Sequence, residues 1–311
     1  MTLASVIIPS RGGAQRLPAL LSALAAQDDP AWEAIVVIDG DVDDSASVVA
    51  RYQRQLPVRS IVFAENRGRV AALNAGFEAA HGDVLIRCDD DLVPDPGYIR
   101  THKAEHARQS CGAIGLYLNR LPDTPYALAY GRDADERFRR DAYAAAPDRS
   151  WRYWAGNCSI TRQLWERVGP YDPAYRAYGW EDVDWGYRLS TLGYPVHLVP
   201  ALETPHYVAA VTTRSRVLRA FHSGAARRLF ESKHGTNILA GAVPPHEGAW
   251  NRLVHLVAVL GSRRALDLTS RCVDRSAVVL PRPVVGKLIA LLVEGSAVAG
   301  YRRPDQTTTE L

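Results

Sequence analysis

The sequence predicts an α/β protein with a mostly parallel central sheet flanked by helices, followed by a helical C-terminal extension. Three observations carry this. Short β-branched runs alternate with helical spacing over residues 4–91, the pattern of parallel strands joined by right-handed crossovers. Each apolar run ends on polar, ionisable residues, as the ligand-binding edge of such a sheet does. Beyond residue 217 the strand signals stop and helical periodicity takes over.

The elements follow in order. Residues 4–8 form a β-branched run that stops at Pro9. Leu17, Leu20, Leu21 and Leu24 then recur on one helical face. A second strand at 34–38 closes on Asp39-Gly40, and 45–54 reads as a helix. A third strand at 58–63 precedes a small-residue helix at 70–80. A fourth, at 84–87, runs into Cys88-Asp89-Asp90-Asp91. The strand ends carry Pro9-Ser10-Arg11, Asp39-Gly40-Asp41, Glu65-Asn66-Arg67 and Asp89-Asp90-Asp91, which together describe a polar cleft. Residues 117–149 hold three prolines and a charged stretch, and read as a solvated helix or long surface loop; a variable lid on the acceptor side is the functional alternative. Order returns at Trp151: residues 155–161 lead into a short helix at 163–168, ended by Gly169-Pro170. A helix at 180–192 and a strand at 194–199 follow. Helices at 217–231, 251–260 and 284–301 are punctuated by prolines, and 304–311 reads as a disordered tail.

Composition sets limits. With 311 residues, 47% hydrophobic and 23% charged, the chain can bury a core. A net charge of +3 argues against a dedicated nucleic-acid binder. The four cysteines are scattered with no CxxC pair, so neither a cysteine zinc site nor a disulfide framework is expected. The residues before the first strand show no basic region and apolar core, so no signal sequence is expected. The expectation is a cytoplasmic protein, with the inner face of the membrane as the variant. Residues 284–293 are apolar, but Lys287 interrupts them and Glu294 follows. That is too short and too charged for a span of about 20 apolar residues. A buried helix is expected there, with a helix lying on a membrane surface as the alternative.

Two acidic motifs suggest chemistry. Asp89-Asp90-Asp91 follows a buried strand directly, and three like charges in a row repel unless a cation is bound. Alternate residues of an extended chain point the same way, so Asp89 and Asp91 are expected to face the cleft together. Their oxygens suit Mg²⁺ or Mn²⁺, with positions left for diphosphate oxygens. A solvated acidic turn is the plain alternative. The second motif is Gly179-Trp180-Glu181-Asp182-Val183-Asp184-Trp185-Gly186-Tyr187-Arg188-Leu189. A carboxylate within hydrogen-bond reach of a substrate hydroxyl can act as a general base. A helix N-terminus also favours carboxylates, so simple capping is the alternative for Asp182.

These residues resemble the inverting family 2 glycosyltransferases with the GT-A fold. Their DxD motif sits at the place of Asp89 to Asp91, often followed by a hydrophobic pair and proline, here Leu92-Val93-Pro94. The stretch from Asn66-Arg67-Gly68 to Ala72-Leu73-Asn74-Ala75-Gly76 is similar to the family's Asn-x-Gly…Ala-Leu-Asn-x-Gly. Ile8-Pro9-Ser10-Arg11 resembles its opening strand and loop, and Val37 to Asp41 stands where the family has Val-Asp-Asp-Gly-Ser. The resemblance implies a nucleotide-sugar donor, a UDP-sugar by family frequency, with Mn²⁺ or Mg²⁺ as cofactor. It implies that Asp39 contacts the base or ribose, that Asp89 lies near ribose and metal, and that Asp91 ligates the metal. Pro9, Arg11, Asn66 and Asp90 are placed on the donor side with them. Arg69 approaches the base or diphosphate, or else forms a surface salt bridge.

The second motif resembles the family's Gly-Trp-Glu-Asp-x-Asp signature. That implies Asp182 as base and Glu181 on the acceptor hydroxyls. Trp180, Gly156 and Asn157 are placed on the acceptor side, with Asp184 holding the helix. Some metal-dependent members complete the metal shell with a histidine shortly after this motif. His206 is the candidate, with a structural histidine as the alternative and His222 and His234 as weaker ones. Five arginines between Arg214 and Arg228 suit a diphosphate, an anionic acceptor or anionic lipid, or are a basic helix face.

The implied organisation is a catalytic domain over 1–212, with a nucleotide-sugar half at 1–115 and an acceptor and base half at 150–210. The extension is 213–311. The implied reaction is inverting transfer to a carbohydrate, glycolipid or small-molecule acceptor. A sugar-1-phosphate nucleotidyltransferase, faintly echoed in Gly12-Gly13-Ala14-Gln15-Arg16, and an inactive sugar-binding homologue are the competing readings. Peripheral membrane contact and a homo-oligomer are open at this stage.

Overall fold

The computed structural model describes residues 2–176, 179–207 and 210–307. Their contacts divide the chain into two compact units. The first comprises 1–120, 139–174 and 181–207; the second comprises 121–138, 175–180 and 208–311.

The first unit opens with β1 (Ala4–Ser10), α1 (Leu17–Ala25), β2 (Trp32–Asp39), α2 (Ser45–Tyr52), β3 (Val58–Phe63), α3 (Arg69–Ala79) and β4 (Val84–Cys88). It continues with α4 (Tyr98–Arg108), β5 (Gly112–Ile114) and β6 (Tyr117–Asn119). After α5 (Arg132–Tyr143) come β7 (Asn157–Thr161), α6 (Arg162–Val168), α7 (Glu181–Thr191), β8 (Val196–Leu198) and β9 (Thr204–His206). The main sheet has the order β3-β2-β1-β4-β7-β5-β8, and β6 pairs with β9 in a second, two-stranded sheet.

Strands β1 to β4 are parallel, with β1 lying between β2 and β4. Their apolar runs are continuous because both faces are covered. Val6, Ile8, Val36 and Ile38 share one cluster with the α1 leucines. The intervening Ile7 and Val37 face α3, where a methyl group added at Gly76 would strike both. Glycine is therefore required for that helix to lie so close to the sheet. β7 breaks the parallel rhythm, running antiparallel to both β4 and β5. The sheet is mixed but mostly parallel, as the sequence indicates.

The second unit is built on α8 (Thr213–His234), α9 (Ala249–Leu260), α10 (Arg263–Ser276) and α11 (Arg282–Arg302). Thr212 and Ser215 form a reciprocal capping box at the start of α8. α8 crosses α11 closely: a methyl group on Gly224 would meet the Ala297 carbonyl, and one on Gly300 the Phe221 carbonyl. Val217, Phe221, Val254, Ile289 and Val298 make the core between these helices.

One expectation is corrected here. The last helix has the length read from the sequence, Arg282–Arg302 against 284–301, but its apolar stretch does not end at residue 293, because small apolar residues continue it beyond Glu294. By length and composition it is able to cross a membrane, with a mean hydropathy of 1.5 in its best window, half of which is buried inside the fold. The charged stretch at 132–141 is helical, as α5, rather than a loop. Of the expected disordered tail, Pro304–Gln306 form a 3-10 turn and residues 308–311 lie outside the described residues.

Candidate active site

The carboxyl ends of β1, β2 and β4 bring the donor-side residues to one edge of the sheet. Asp39 closes β2, and both its oxygens are occupied. They accept from the backbone N–H groups of Arg67 (2.6 Å) and Gly68 (2.8 Å). Arg11 donates to the Asp39 carbonyl at 2.8 Å, and Asn66 accepts from Gly68 at 3.0 Å. Asp39 thus organises the loop before α3, and its carboxylate faces that loop. Pro9 lies within β1, opposite Val37.

The three consecutive aspartates take three separate partners, which is how the chain accommodates their repulsion. Asp89 accepts from Arg87 (3.0 Å) and from the Tyr117 hydroxyl (3.4 Å). Asp90 is buried and accepts from Ser10 (2.5 Å) and from two nitrogens of Arg16 (2.9 and 2.8 Å). Its oxygens tie the loop after β1 to the loop after β4 instead of turning to a donor. Asp91 meets His206, with Oδ2 3.1 Å from Nε2. Asp89 is thus paired with Arg87, while Asp91 is paired with His206. Among the described residues no three His, Cys, Asp or Glu side chains converge as a metal site.

Asp91 and His206 nevertheless suit a cation. The strand before His206 is stitched to the acidic loop by Val93 N–H to the Pro205 carbonyl (3.0 Å) and Tyr207 N–H to the Asp91 carbonyl (3.1 Å). His206 Nδ1 lies 2.5 Å from Asn119 Oδ1, and its ring stacks on Tyr117 at 4.6 Å. Donation to Asn119 leaves a lone pair on Nε2 facing the Asp91 carboxylate. Two such acceptors need a positive charge between them, either a proton or a metal ion. Asp91 Oδ1 is buried with no hydrogen-bond partner, a second donor atom left open.

Gly156 lies under Asp89, which donates its N–H to the Gly156 carbonyl at 2.9 Å. A methyl group at 156 would fall on the Asp89 carboxylate and the Tyr117 hydroxyl. Gly156→Ala is expected to cost about 1–3 kcal/mol through overpacking and to lower catalytic activity by displacing Asp89. Urea denaturation and initial rates measure the two effects; a variant equal to wild type in both would remove this role.

The two acidic motifs meet on a residue that the sequence analysis missed. Arg87, in β4, is fully buried, and its guanidinium pairs with Asp89 and with Asp182 in the first turn of α7. Its guanidinium also lies 6.0 Å from the Tyr171 ring centre, and Tyr171 is held by both ends of the Asn74 amide at 2.8 Å each. A lone arginine inside an otherwise apolar strand, two residues before the aspartates, was the available signal. Such a charge is buried only when paired.

Burial pushes the Asp182 carboxyl up to about 7; Arg87 opposes this, while Glu181 and Asp89 add to it. Burial also works against charge on Asp89, but Arg87 and then Arg69 outweigh it and hold that carboxyl below its usual range. Arg87 favours the charged form of both carboxyls; burial prevails at Asp182 and the arginines prevail at Asp89. Glu181 is buried, with Oε1 3.5 Å from Arg69 and Oε2 without a partner. Asp184 pairs with Arg188 at 3.0 Å, and Arg188 donates to the carbonyls of Val168 and Pro170, fixing α7 to the end of α6.

Two expected acceptor residues are placed differently. Asn157 is fully buried and bonded to Tyr98, Leu202 and Thr204, so its amide is used inside the fold. Trp180 belongs to the second unit, where its indole donates to Ser223 at 2.9 Å and lies 5.3 Å from the Phe230 ring. Its backbone, with φ of 71°, is left-handed, an uncommon state for a bulky residue. His222 and the arginines at 214, 227 and 228 also lie in the second unit.

The sheet with its antiparallel β7, and acidic motifs beyond its strand ends, is the GT-A fold. A mannosyltransferase from Pyrobaculum calidifontis, solved with GDP-Man and Mn²⁺, superposes with a TM-score of 0.62 at 19% identity, covering 97% of this chain and 88% of that one. TarS 1–349 from S. aureus, solved with UDP-GlcNAc, gives 0.52 at 14% identity over 97% of this chain and 92% of that one.

The chain belongs to glycosyl transferase family 2, whose profile matches residues 5–165, half of the sequence. A second profile, described as the N-terminal domain of galactosyltransferase, matches 137–212. Validoxylamine A glucosyltransferase of Streptomyces hygroscopicus subsp. jinggangensis is 28% identical over 66% of this chain and 56% of its own length. An undecaprenyl-phosphate 4-deoxy-4-formamido-L-arabinose transferase of Pseudomonas syringae pv. syringae is 37% identical over 39% of this chain and 37% of its own. The matches thus span about half or less of these relatives.

Proposed function

We propose that the chain transfers a sugar from a nucleotide-sugar donor, a UDP-sugar in the first instance, to an acceptor hydroxyl with inversion at the sugar carbon. The observation that carries this is Asp182: a largely covered carboxyl at a helix N-terminus, its pKa raised to about 7, paired with an arginine that also holds the DxD loop. A base poised near neutral pH removes a hydroxyl proton efficiently. Glu181, with one oxygen unpaired, binds an acceptor hydroxyl beside it. Inversion follows from a single displacement in which the acceptor, deprotonated by Asp182, attacks the sugar directly.

Asp91 and His206 would hold Mn²⁺ or Mg²⁺. The metal, when bound, supplies positive charge to the departing nucleoside diphosphate. Arg69 adds charge on the same side while orienting Glu181. The chemistry belongs to the sheet-bearing part of the chain, the 1–212 region, with 213–311 as an extension. The acceptor class is a carbohydrate, glycolipid or small molecule; a relative named for validoxylamine A supports the last, and one named for undecaprenyl phosphate supports a lipid.

This reading gives a pH dependence with a defined sign. Asp182 acts only when deprotonated, so raising its pKa moves the active range upward. kcat/KM is expected to rise about tenfold per pH unit below about 7 and to level off above it. Initial rates across pH test this. An acid limb centred near 4, the ordinary carboxylate range, would remove Asp182 as the base.

A further inference from the structure

The second unit presents apolar side chains that its own packing leaves uncovered. Between α10 and α11, Val278, Val279 and Leu280 stand in succession at 76%, 81% and 37% exposure, and Val284 continues the surface. Scattered exposed apolar residues are ordinary, but three in a row on a loop form a patch that marks an interaction site. α9 repeats the feature. Val254 and Ala258 face the core, while Leu253, Leu256 and Leu260 line the opposite, exposed side. A helix apolar on both sides is expected to have a partner on each.

The surrounding charge identifies the partner. Arg275 precedes the loop and Arg282 and Lys287 follow it, all exposed. Arg264 and Arg271 are exposed on α10 as well. The two acidic residues of α10 are engaged elsewhere: Asp267 pairs with Arg214 and Arg271, and Asp274 accepts the N–H groups of Thr213 and Arg214 at the start of α8. The apolar loop is thus edged by cations, the composition of a surface that enters the headgroup layer of an anionic bilayer. A symmetric contact with a second copy would bring these same cations together, so self-association is the poorer occupant.

We propose that the Val278–Leu280 loop, with the outer side of α9 as a second contact, docks the chain onto an anionic lipid surface. The apolar side chains seat at the boundary of headgroups and acyl chains, and Arg275, Arg282 and Lys287 meet the phosphates. This stands apart from the sugar-transfer reading and is tested without turnover.

Co-sedimentation of the full chain with vesicles is the test. Phosphatidylcholine alone is compared with phosphatidylcholine mixed with phosphatidylglycerol. The wild-type chain is expected to sediment with the mixed vesicles only, and less so as salt rises. Val279→Asp with Leu280→Asp, and separately Arg275→Glu with Arg282→Glu, are each expected to weaken binding at least about tenfold. All four positions are exposed, and an unchanged circular dichroism melt verifies folding of the variants. Failure of the wild type to sediment with mixed vesicles would overturn the proposal. So would binding unchanged in both variants, or a lipid-free dimer that Val279→Asp dissolves.

Discussion

Replacing Asp182 by Asn is expected to lower sugar transfer by about 10²–10⁴-fold, the range for loss of a positioned general base, while nucleotide-sugar binding persists. The amide keeps the size of the side chain and can still accept from Arg87, so the first turn of α7 retains its place. Asp89 continues to balance the Arg87 charge. What disappears is the ability to take a proton near pH 7. Rates measured beside a donor titration separate the two effects. Transfer close to the wild-type rate would sink the assignment of the base, and loss of donor binding alone would mark Asp182 as structural.

Replacing Arg87 by Met is expected to be the most damaging change to stability. The guanidinium has no solvent exposure and lies between two carboxylates of the two acidic motifs. Removing one partner of a buried ion pair costs about 3–5 kcal/mol, and the lower end is expected here because Asp89 and Asp182 keep some solvent contact and Asp89 keeps Tyr117. Arg87→Lys retains the charge but offers one point of contact where the guanidinium serves two acids. It is expected to fold with reduced stability and to move the acid limb of the pH profile upward. The direction follows from the sign: Arg87 holds the Asp182 pKa down, so weakening that contact raises it. Urea denaturation measures the first effect and the pH profile the second. An Arg87→Met variant as stable as wild type would show that the pair does not organise the site.

The first half of the fold was legible because its signals are long and local. Leu17, Leu20, Leu21 and Leu24 repeat on one helical face, and β1 to β4 are runs of five to eight residues. β5, β6 and β9 have three residues each, too few for a period to show. Their existence depends on pairing with distant strands. The same distance effect governs the site. The motifs around Asp89, Asp91, Asp182 and His206 could be read from neighbouring residues, but the partner of each could not. Alternation along an extended chain put Asp89 and Asp91 on one cation. Arg87, which pairs with Asp182 across ninety-five positions of sequence, also engages Asp89. Asn157 likewise is placed on the acceptor side by the resemblance, and its bonding inside the fold shows only once β7 is seen between β4 and β5. The helix at 284–301 was legible, but its apolar length was underestimated because Lys287 and Glu294 were weighed without the small residues beyond them.

The most direct test of the central claim is product formation from a panel of nucleotide sugars, with Mn²⁺ or Mg²⁺ and without either. The account predicts that at least one nucleotide sugar stabilises the wild-type chain and slowly releases its nucleoside diphosphate, with Asp91→Asn and His206→Ala raising the metal concentration required or abolishing release. Absence of binding or release across the panel, with pyrophosphate formed instead from a nucleoside triphosphate and a sugar phosphate, would contradict it.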